Sequence, residues 1–344
     1  MSKKYLVIIN NEKITRDQNN FYCDNIDIKS IPEDLSENFN ITLIARDSKK
    51  INKIRKINLL NIKISSNIFL FLLSIFKTFK KDKTIYLIIS ITPYTFFSYI
   101  LLLIFRKKKY VYLRSNGHEE YKAIFGFVGP IIYDLMFKVV TFNSTIISCQ
   151  ERLFTKRKSH IVFPSEINSS WIKNKDNPKL DKPRLLYVGR LKVEKGIFSL
   201  MKILNQVNLD FTLSVVGGEE KKFNIKYKES RKYIFYPIQN EANSLIKFYD
   251  DNNIFILPSF TEAHPKVVDE SLARLRPVII FDDIKHIIHN KKGIFVSQRN
   301  EKSLLETIDF IMKNYSTIQE SMNRNKLPTK KDFIVEMSNI LNQS

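Results

Sequence analysis

Two cations and two carboxylates stand in the second half of this sequence at spacings that could do chemistry together. Arg190 and Lys195 follow the apolar run LLYVG at 185–189 and precede a periodic apolar stretch that ends near Leu204. Gly189 permits a sharp turn, so both cations emerge where the helix 196–204 begins. Backbone N–H groups and the helix dipole add to their charge there, which makes an anion site. Glu262 and Glu270, with seven residues between them, follow Pro258 and Ser259 at the end of another apolar run. That spacing places Glu262 in a loop and Glu270 about one turn inside a helix over 267–275. The plainer reading makes the cations solvated charges of a Lys-rich protein, Glu262 an N-terminal helix charge and Glu270 a surface residue. Against it stands the register of PSFTEAHPKVVDESLARLRPVI, 258–279, directly after a strand.

Strands must end where such groups are needed, and the chain supplies them. Apolar strand-like runs alternate with helix-like runs almost from end to end, the signal of an α/β architecture with parallel sheets. Runs at 5–10, 41–45, 85–90, 110–114 and 145–149 predict the strands of a first doubly wound domain. A second set begins at Leu185 and continues at 211–216, 254–257, 278–281 and 294–296. Between them PSEINSSWIKNKDNPKLDKP, 164–183, replaces the periodic pattern with Pro, Asn, Ser and Lys, as a hinge does. The expected organisation is a first domain over 1–164, a linker over 165–183, a second domain over 184–328 and a terminal helix over 329–344 that crosses back. A chain of 344 residues exceeds what one core usually organises. In doubly wound sheets the ligand sits at the carboxyl ends of the strands. At such strand ends stand Gly217 and Gly218 in the second domain, which give a tight turn after FTLSVV, and in the first domain the polar loop RSNGHEE, 114–120, with His118. A lone histidine is more often structural than reactive, and Glu119 and Glu120 could as readily pair with lysines. His286 and His289 stand three apart with no evident third ligand and read as incidental to metal binding.

Composition bounds the function class. A hydrophobic content of 44% with 26% charged residues is globular. The formal charge of +21 comes with many Ile and Asn, as biased codon usage would produce, yet so basic a surface still associates with polyanions. No recognisable RNA- or DNA-binding motif accompanies it, so nucleic acid is not the expected partner. Cys23 and Cys149 form no metal or redox spacing and suggest no disulfide framework, which fits a reducing cytoplasm. The N-terminal apolar run stops at Ile9 without a cleavage signal and reads as the first strand. The uncharged stretch 84–105 is long enough to span a bilayer. Its β-branched start, its break at Thr92 and Pro93 and its short apolar end instead predict strand, turn and helix. The apolar helices 67–79 and 94–105, each followed by basic residues, could rest on an anionic inner leaflet, making the protein cytoplasmic and peripheral.

The segments 185–203 and 258–279 resemble the two signature segments of the retaining glycosyltransferases of the GT-B fold, in particular glycosyltransferase family 4. That resemblance implies two Rossmann-like doubly wound domains facing each other across a cleft. It implies transfer of a sugar from a nucleoside-diphosphate sugar to a growing glycan or lipid-linked glycan acceptor of capsule, O-antigen or lipopolysaccharide type. Gly189, Arg190 and Lys195 would hold the donor diphosphate, with Gly217 nearby. Glu262 would take hydroxyls of the donor sugar and Glu270 those of the ribose, while the backbone of Ala263, His264, Pro265, Lys266 and Val267 helps hold phosphate or sugar. His118 resembles the histidine that relatives place near the reacting centre. Glu262, His118, Arg190 and Lys195 are thus the catalytic candidates. The chain contains no D-x-D tripeptide, so no essential divalent ion and no other cofactor is expected. Departures from the family are a His264 where an aromatic is usual, Leu275 and Arg276 in place of a glycine before Pro277, and no glycine in the expected loop 10–20. The last departure keeps a second reading open, a catalytically silent sugar-nucleotide or glycan-binding protein on the same fold.

Overall fold

A computed structural model describes residues 3–48, 54–81, 83–114, 117–150, 159–218 and 233–343. The chain divides into two compact units, Met1–Phe163 with Lys331–Ser344, and Pro164–Lys330.

The first unit contains, in chain order, β1 (Lys4–Asp17), β2 (Asn20–Cys23), α1 (Ile26–Leu35), β3 (Phe39–Asp47), β4 (Arg55–Ile57), β5 (Ile62–Ser65), α2 (Ile68–Phe76), β6 (Ile85–Ile89), α3 (Pro93–Ile104), β7 (Lys109–Leu113), α4 (Gly117–Phe125), α5 (Val128–Phe142), β8 (Thr145–Ser148) and β9 (Ser159–Ile161). Its parallel strands run β5-β3-β1-β6-β7-β8-β9, with β2 and β4 added antiparallel beyond β1. Alternation along β1 sends Leu6 and Ile8 into one core layer and Val7 and Ile9 into the other, so the sheet is covered on both faces.

Residues 10–20 form no open loop, contrary to the expectation from their polar, glycine-free sequence. β1 passes through a register shift between Ile9 and Lys13, buries Ile14 and Thr15, and turns back through Gln18, at φ 51°, into β2. Two buried side chains on an otherwise polar run are enough to keep the chain in the sheet. The uncharged stretch 84–105 is β6, a turn and α3, and Thr92 caps that helix in a reciprocal capping box with Thr95. Among the described residues no helix is long and apolar enough to cross a membrane.

The second unit contains α6 (Ser169–Ile172), β10 (Arg184–Val188), α7 (Ile197–Leu204), β11 (Thr212–Val216), β12 (Tyr233–Tyr236), α8 (Ala242–Asp251), β13 (Ile254–Leu257), α9 (Lys266–Ala273), β14 (Val278–Phe281), β15 (Ile294–Ser297), α10 (Glu301–Lys313) and α11 (Tyr315–Met322). Its six strands are all parallel in the order β12-β11-β10-β13-β14-β15. The winding reverses between β10 and β13, which opens a crevice at their carboxyl ends. The segment 164–183 is built into this unit rather than strung out from it. Trp171 of α6 is buried in the core, and the guanidinium of Arg276 donates to the carbonyl of Asp176. The last helix, α12 (Lys330–Asn342), sends Phe333, Met337 and Leu341 into the core of the first unit.

Candidate functional site

At the carboxyl end of β10 the chain leaves the sheet through Gly189, whose N–H donates to the carbonyl of Val216 at the end of β11. The two exits lie so close that a Cβ on Gly217, at φ +132°, would stand 2.1 Å from the Gly189 carbonyl oxygen. Neither glycine has room for a side chain, because a Cβ on Gly189 would meet the Tyr187 hydroxyl at 2.8 Å. That hydroxyl donates to the carbonyl of Arg190 at 2.8 Å and fixes the bend, while the Arg190 side chain is exposed. A short 3-10 turn, Val193–Lys195, follows and delivers Lys195 just ahead of α7. Gly196 closes it at φ +68°, and a Cβ there would lie 1.9 Å from the carbonyl oxygen of Pro258. The loop after β10 therefore touches the loop after β13, and Phe260 N–H donates to the carbonyl of Glu194 at 3.0 Å.

This close approach brings Lys195 to Glu262. Lys195 Nζ donates to Glu262 Oε1 at 2.6 Å, and the buried Ser259 hydroxyl donates to the same oxygen at 2.7 Å. Among the described residues Oε2 accepts no hydrogen bond, so the carboxylate is held by one oxygen with the other left to a ligand. The helix that follows, α9, starts at Pro265 as its N-cap. Glu270 lies inside α9 and is buried, with Oε2 accepting the Tyr249 hydroxyl at 3.0 Å. Burial pushes its carboxyl up to about 7, the Tyr249 hydrogen bond and Lys266 offsetting only part of the cost. Lys266 itself turns to Glu166, at 2.9 Å.

The side chain of His264 faces inward, 4% exposed, with Nε2 at 2.9 Å from Asp269 Oδ2. Lys291 pairs with the other oxygen of that aspartate. Burial raises the Asp269 carboxyl, but the contacts from His264 and Lys291 outweigh it and hold the group below its ordinary value. What His264 presents to the crevice is its backbone, with its ring serving to anchor the loop before α9.

His118 belongs to the first unit. It sits at the start of α4, 4.7 Å from the ring of Tyr133 and 3.8 Å from Asp134 Oδ1, both on α5. Arg114, at the end of β7, pairs with Asp27 at the start of α1. Ser115 and Asn116, and the side chains of Glu119 and Glu120, lie outside the described residues. The second unit thus assembles Gly189, Arg190, Lys195, Gly217, Glu262, Glu270 and the 263–267 backbone at one sheet edge.

Three residues act here in ways that the sequence pattern does not show. Arg299 donates to the carbonyls of Pro258 and Ser259 at 2.8 and 2.9 Å and to Asp283 at 2.7 Å, with its guanidinium 4.0 Å from the Phe260 ring centre. His286, read as incidental from its spacing, donates from Nε2 to the carbonyl of Glu262 at 2.8 Å. Both residues pin the backbone on either side of the carboxylate. Leu275 takes the place expected for glycine at the exit of α9, at φ +55°. The turn is held instead by buried arginines: Arg274 reaches Asp250 and the carbonyls of Trp171, Lys173 and Asn174, and Arg276 reaches those of Tyr249 and Asn252. Among the described residues no three His, Cys, Asp or Glu side chains converge as a metal site.

Known proteins resemble the chain in sequence and in fold. Residues 169–327 match the family model described as Glycosyl transferases group 1. An uncharacterized glycosyltransferase of Haemophilus influenzae is 26% identical over 211 residues, 58% of each chain. The capsular polysaccharide biosynthesis glycosyltransferase CapM of Staphylococcus aureus is 28% identical over 152 residues, covering 40% of this chain and 39% of CapM. The chain thus spans little more than half the length, or less, of these curated relatives. Among solved structures, the HepE protein of Anabaena in complex with UDP and glucose aligns over 99% of this chain and 100% of its own, with a TM-score of 0.67 at 10% identity. A match of that extent shows the fold, two Rossmann-like units of the GT-B type.

Proposed function

From a second unit that belongs to the glycosyl transferases group 1, we infer that the chain moves a sugar from a nucleoside-diphosphate donor to a growing cell-surface glycan. One observation carries the reading. Glu262 and Glu270 are each held through a single oxygen, by Lys195 and Ser259 in one case and by Tyr249 in the other. A carboxylate fixed in this way presents its second oxygen to a diol, the feature common to a hexose and a ribose. The family model and the name of the capsular relative support the same class of reaction.

The chemistry follows from the charges. As the bond between the anomeric carbon and the diphosphate breaks, negative charge grows on the leaving phosphate. Arg190 and Lys195 stand at the mouth of the sheet to meet it. The acceptor hydroxyl forms the new bond on the face that the diphosphate leaves, and its proton passes to the departing phosphate oxygen, so configuration is retained. Two cations take the place that a metal ion would otherwise fill, and a divalent ion is not needed. Glu262 orients the sugar and Glu270 the ribose.

A binding protein without turnover is the second reading. It draws on the β1–β2 hairpin, which occupies the stretch where relatives carry a glycine-rich loop. Ligand-observed NMR against a panel of nucleoside diphosphates and their sugar conjugates tests the site. Selective binding of one nucleotide, lost in a Lys195→Ala, Glu270→Ala double variant, is expected. Equal binding of every polyanion, vanishing with salt, would sink the donor site. Slow release of free sugar from the selected donor then separates an enzyme from a silent binder.

A further inference from the structure

The first unit carries large apolar side chains on the outside of three neighbouring helices, where a water-facing helix ordinarily carries charge. In α5 the buried side consists of Tyr133, Met136 and Val140, which pack under the sheet. Its opposite side is largely apolar as well: Ile131, Leu135 and Phe142 are exposed there beside the single cation Lys138, and Phe127, the residue before the helix, is 84% exposed. A helix with large apolar side chains on both its sides is at home only where something apolar covers it. α3 packs against both α5 and α2, and all three helices join the same core layer, so their outer sides make one surface. Phe97 and Ile104 of α3 and Phe69 and Phe76 of α2 extend it, with Phe69 81% exposed. Phe76 and Phe105 meet edge to face at 5.4 Å and make the join between these two helices continuous.

Charge identifies what covers this surface. The segments of α2 and α3 contain no ionisable acid or base other than Tyr94 and Tyr99, and both helices run directly into exposed cations, Lys77, Lys80 and Lys81 after α2 and Arg106 after α3. On α5 the one acid, Asp134, is matched by Lys138 at 2.6 Å. An apolar face bordered by lysines complements a bilayer with anionic headgroups, the apolar side chains entering the acyl boundary while the cations meet phosphate. A second copy of this chain, with the same formal charge of +21, would instead bring like charges together.

We propose that the outer faces of α2, α3 and α5 are a docking surface for an anionic phospholipid bilayer, on which the protein rests without crossing it. The inference does not depend on the sugar-transfer reading, since it involves none of the residues of that site.

Flotation of the full chain with vesicles of phosphatidylcholine, with and without phosphatidylglycerol, tests it. The wild type is expected to float with the anionic vesicles and to stay behind with the neutral ones. An Ile131→Glu, Leu135→Glu variant, altered only at exposed positions, should lose about tenfold or more in partition. A Lys77→Glu, Lys80→Glu variant should lose a similar factor on anionic vesicles. A gain-of-signal variant guards against misfolding. The chain has one tryptophan, the buried Trp171, so Leu135→Trp adds a reporter whose emission should shift to the blue on anionic vesicles alone. Wild-type protein that fails to float at low salt would overturn the proposal. So would glutamate variants that float unchanged, or a dimer that the same substitutions dissociate while vesicles are ignored.

Discussion

Lys195 Nζ and Glu262 Oε1 lie 2.6 Å apart although 67 positions separate them in the chain, and the contact ties the loop after β10 to the loop after β13. Both side chains are largely shielded, so each holds the other in one geometry at the crevice edge. The lysine keeps two further protons for a phosphate and the glutamate keeps Oε2 for a hydroxyl.

Removing the cation should therefore cost chemistry more than fold. Lys195→Ala is expected to lower kcat by about a hundredfold or more, as when a preorganised group facing developing charge is deleted. Glu262→Gln keeps the shape and loses the ion pair. Because the two residues touch, their effects should not add, and a double-mutant cycle should return a coupling of about 1–2 kcal/mol. Steady-state kinetics on the two single variants and the double variant would show it. Additive losses would mean that the contact is incidental.

Glu270 links the site to pH. Its folded-state pKa, about 7, lies above the ordinary 4.5 because burial disfavours the charge. Between those values the folded chain binds the proton more tightly than the unfolded chain, so stability falls as pH rises from 4.5 to 7 and levels off above. Glu270→Gln removes that dependence. Relative to wild type it should gain steadily across this window, by up to about 3 kcal/mol at pH 8. Urea unfolding of both proteins at pH 5 and pH 8 would show this, and an equal difference at the two values would refute it. Donor affinity of the wild type should rise through the same window as the acceptor carboxylate forms.

Much of the second unit is legible in the sequence alone, for local reasons. Its strands are short apolar runs bounded by Gly, Pro or Asn, and buried parallel strands need no more than that. The spacing of Glu262 and Glu270 likewise belongs to one continuous segment. What escapes is set by distant partners. Arg299 is one basic residue among many, and only the fold brings it to carbonyls some forty positions away. His286 stands out in the sequence only by a spacing that reads as incidental to metal binding, whereas its partner is a backbone carbonyl. In the first unit the continuation of β1 rests on two buried side chains within a polar run, too weak a period to read. The outward face of α5 escapes for another reason: apolar residues on both sides of a helix look like a deep core.

Arg299 should act as a positioning residue. Its guanidinium grips the Pro258 and Ser259 carbonyls and lies over the rings of Phe260 and Phe281, a planar fork that lysine does not reproduce. Arg299→Lys is expected to raise the donor KM by about tenfold with a smaller change in kcat, since the loop loses its register while Lys195 remains. A matched fall in kcat and kcat/KM with KM unchanged would point to direct contact with the reacting atoms instead.

Two glycines with the same backbone sign separate steric closeness from conformational strain. Gly126 has φ +62° and nothing within 4 Å of where a Cβ would stand; Gly196 has φ +68° and the Pro258 carbonyl oxygen at 1.9 Å. Gly126→Ala should cost only the left-handed penalty, about 1 kcal/mol. Gly196→Ala pays that and must also push the loops after β10 and β13 apart, for a total of roughly 3 kcal/mol. Since that separation breaks the Lys195–Glu262 contact, donor binding should fall with stability in Gly196→Ala and stay at the wild-type level in Gly126→Ala. Thermal melts paired with nucleotide titrations would check both. Equal melting temperatures for the two variants would mean that the loops part without cost, and that their contact does not hold the site together.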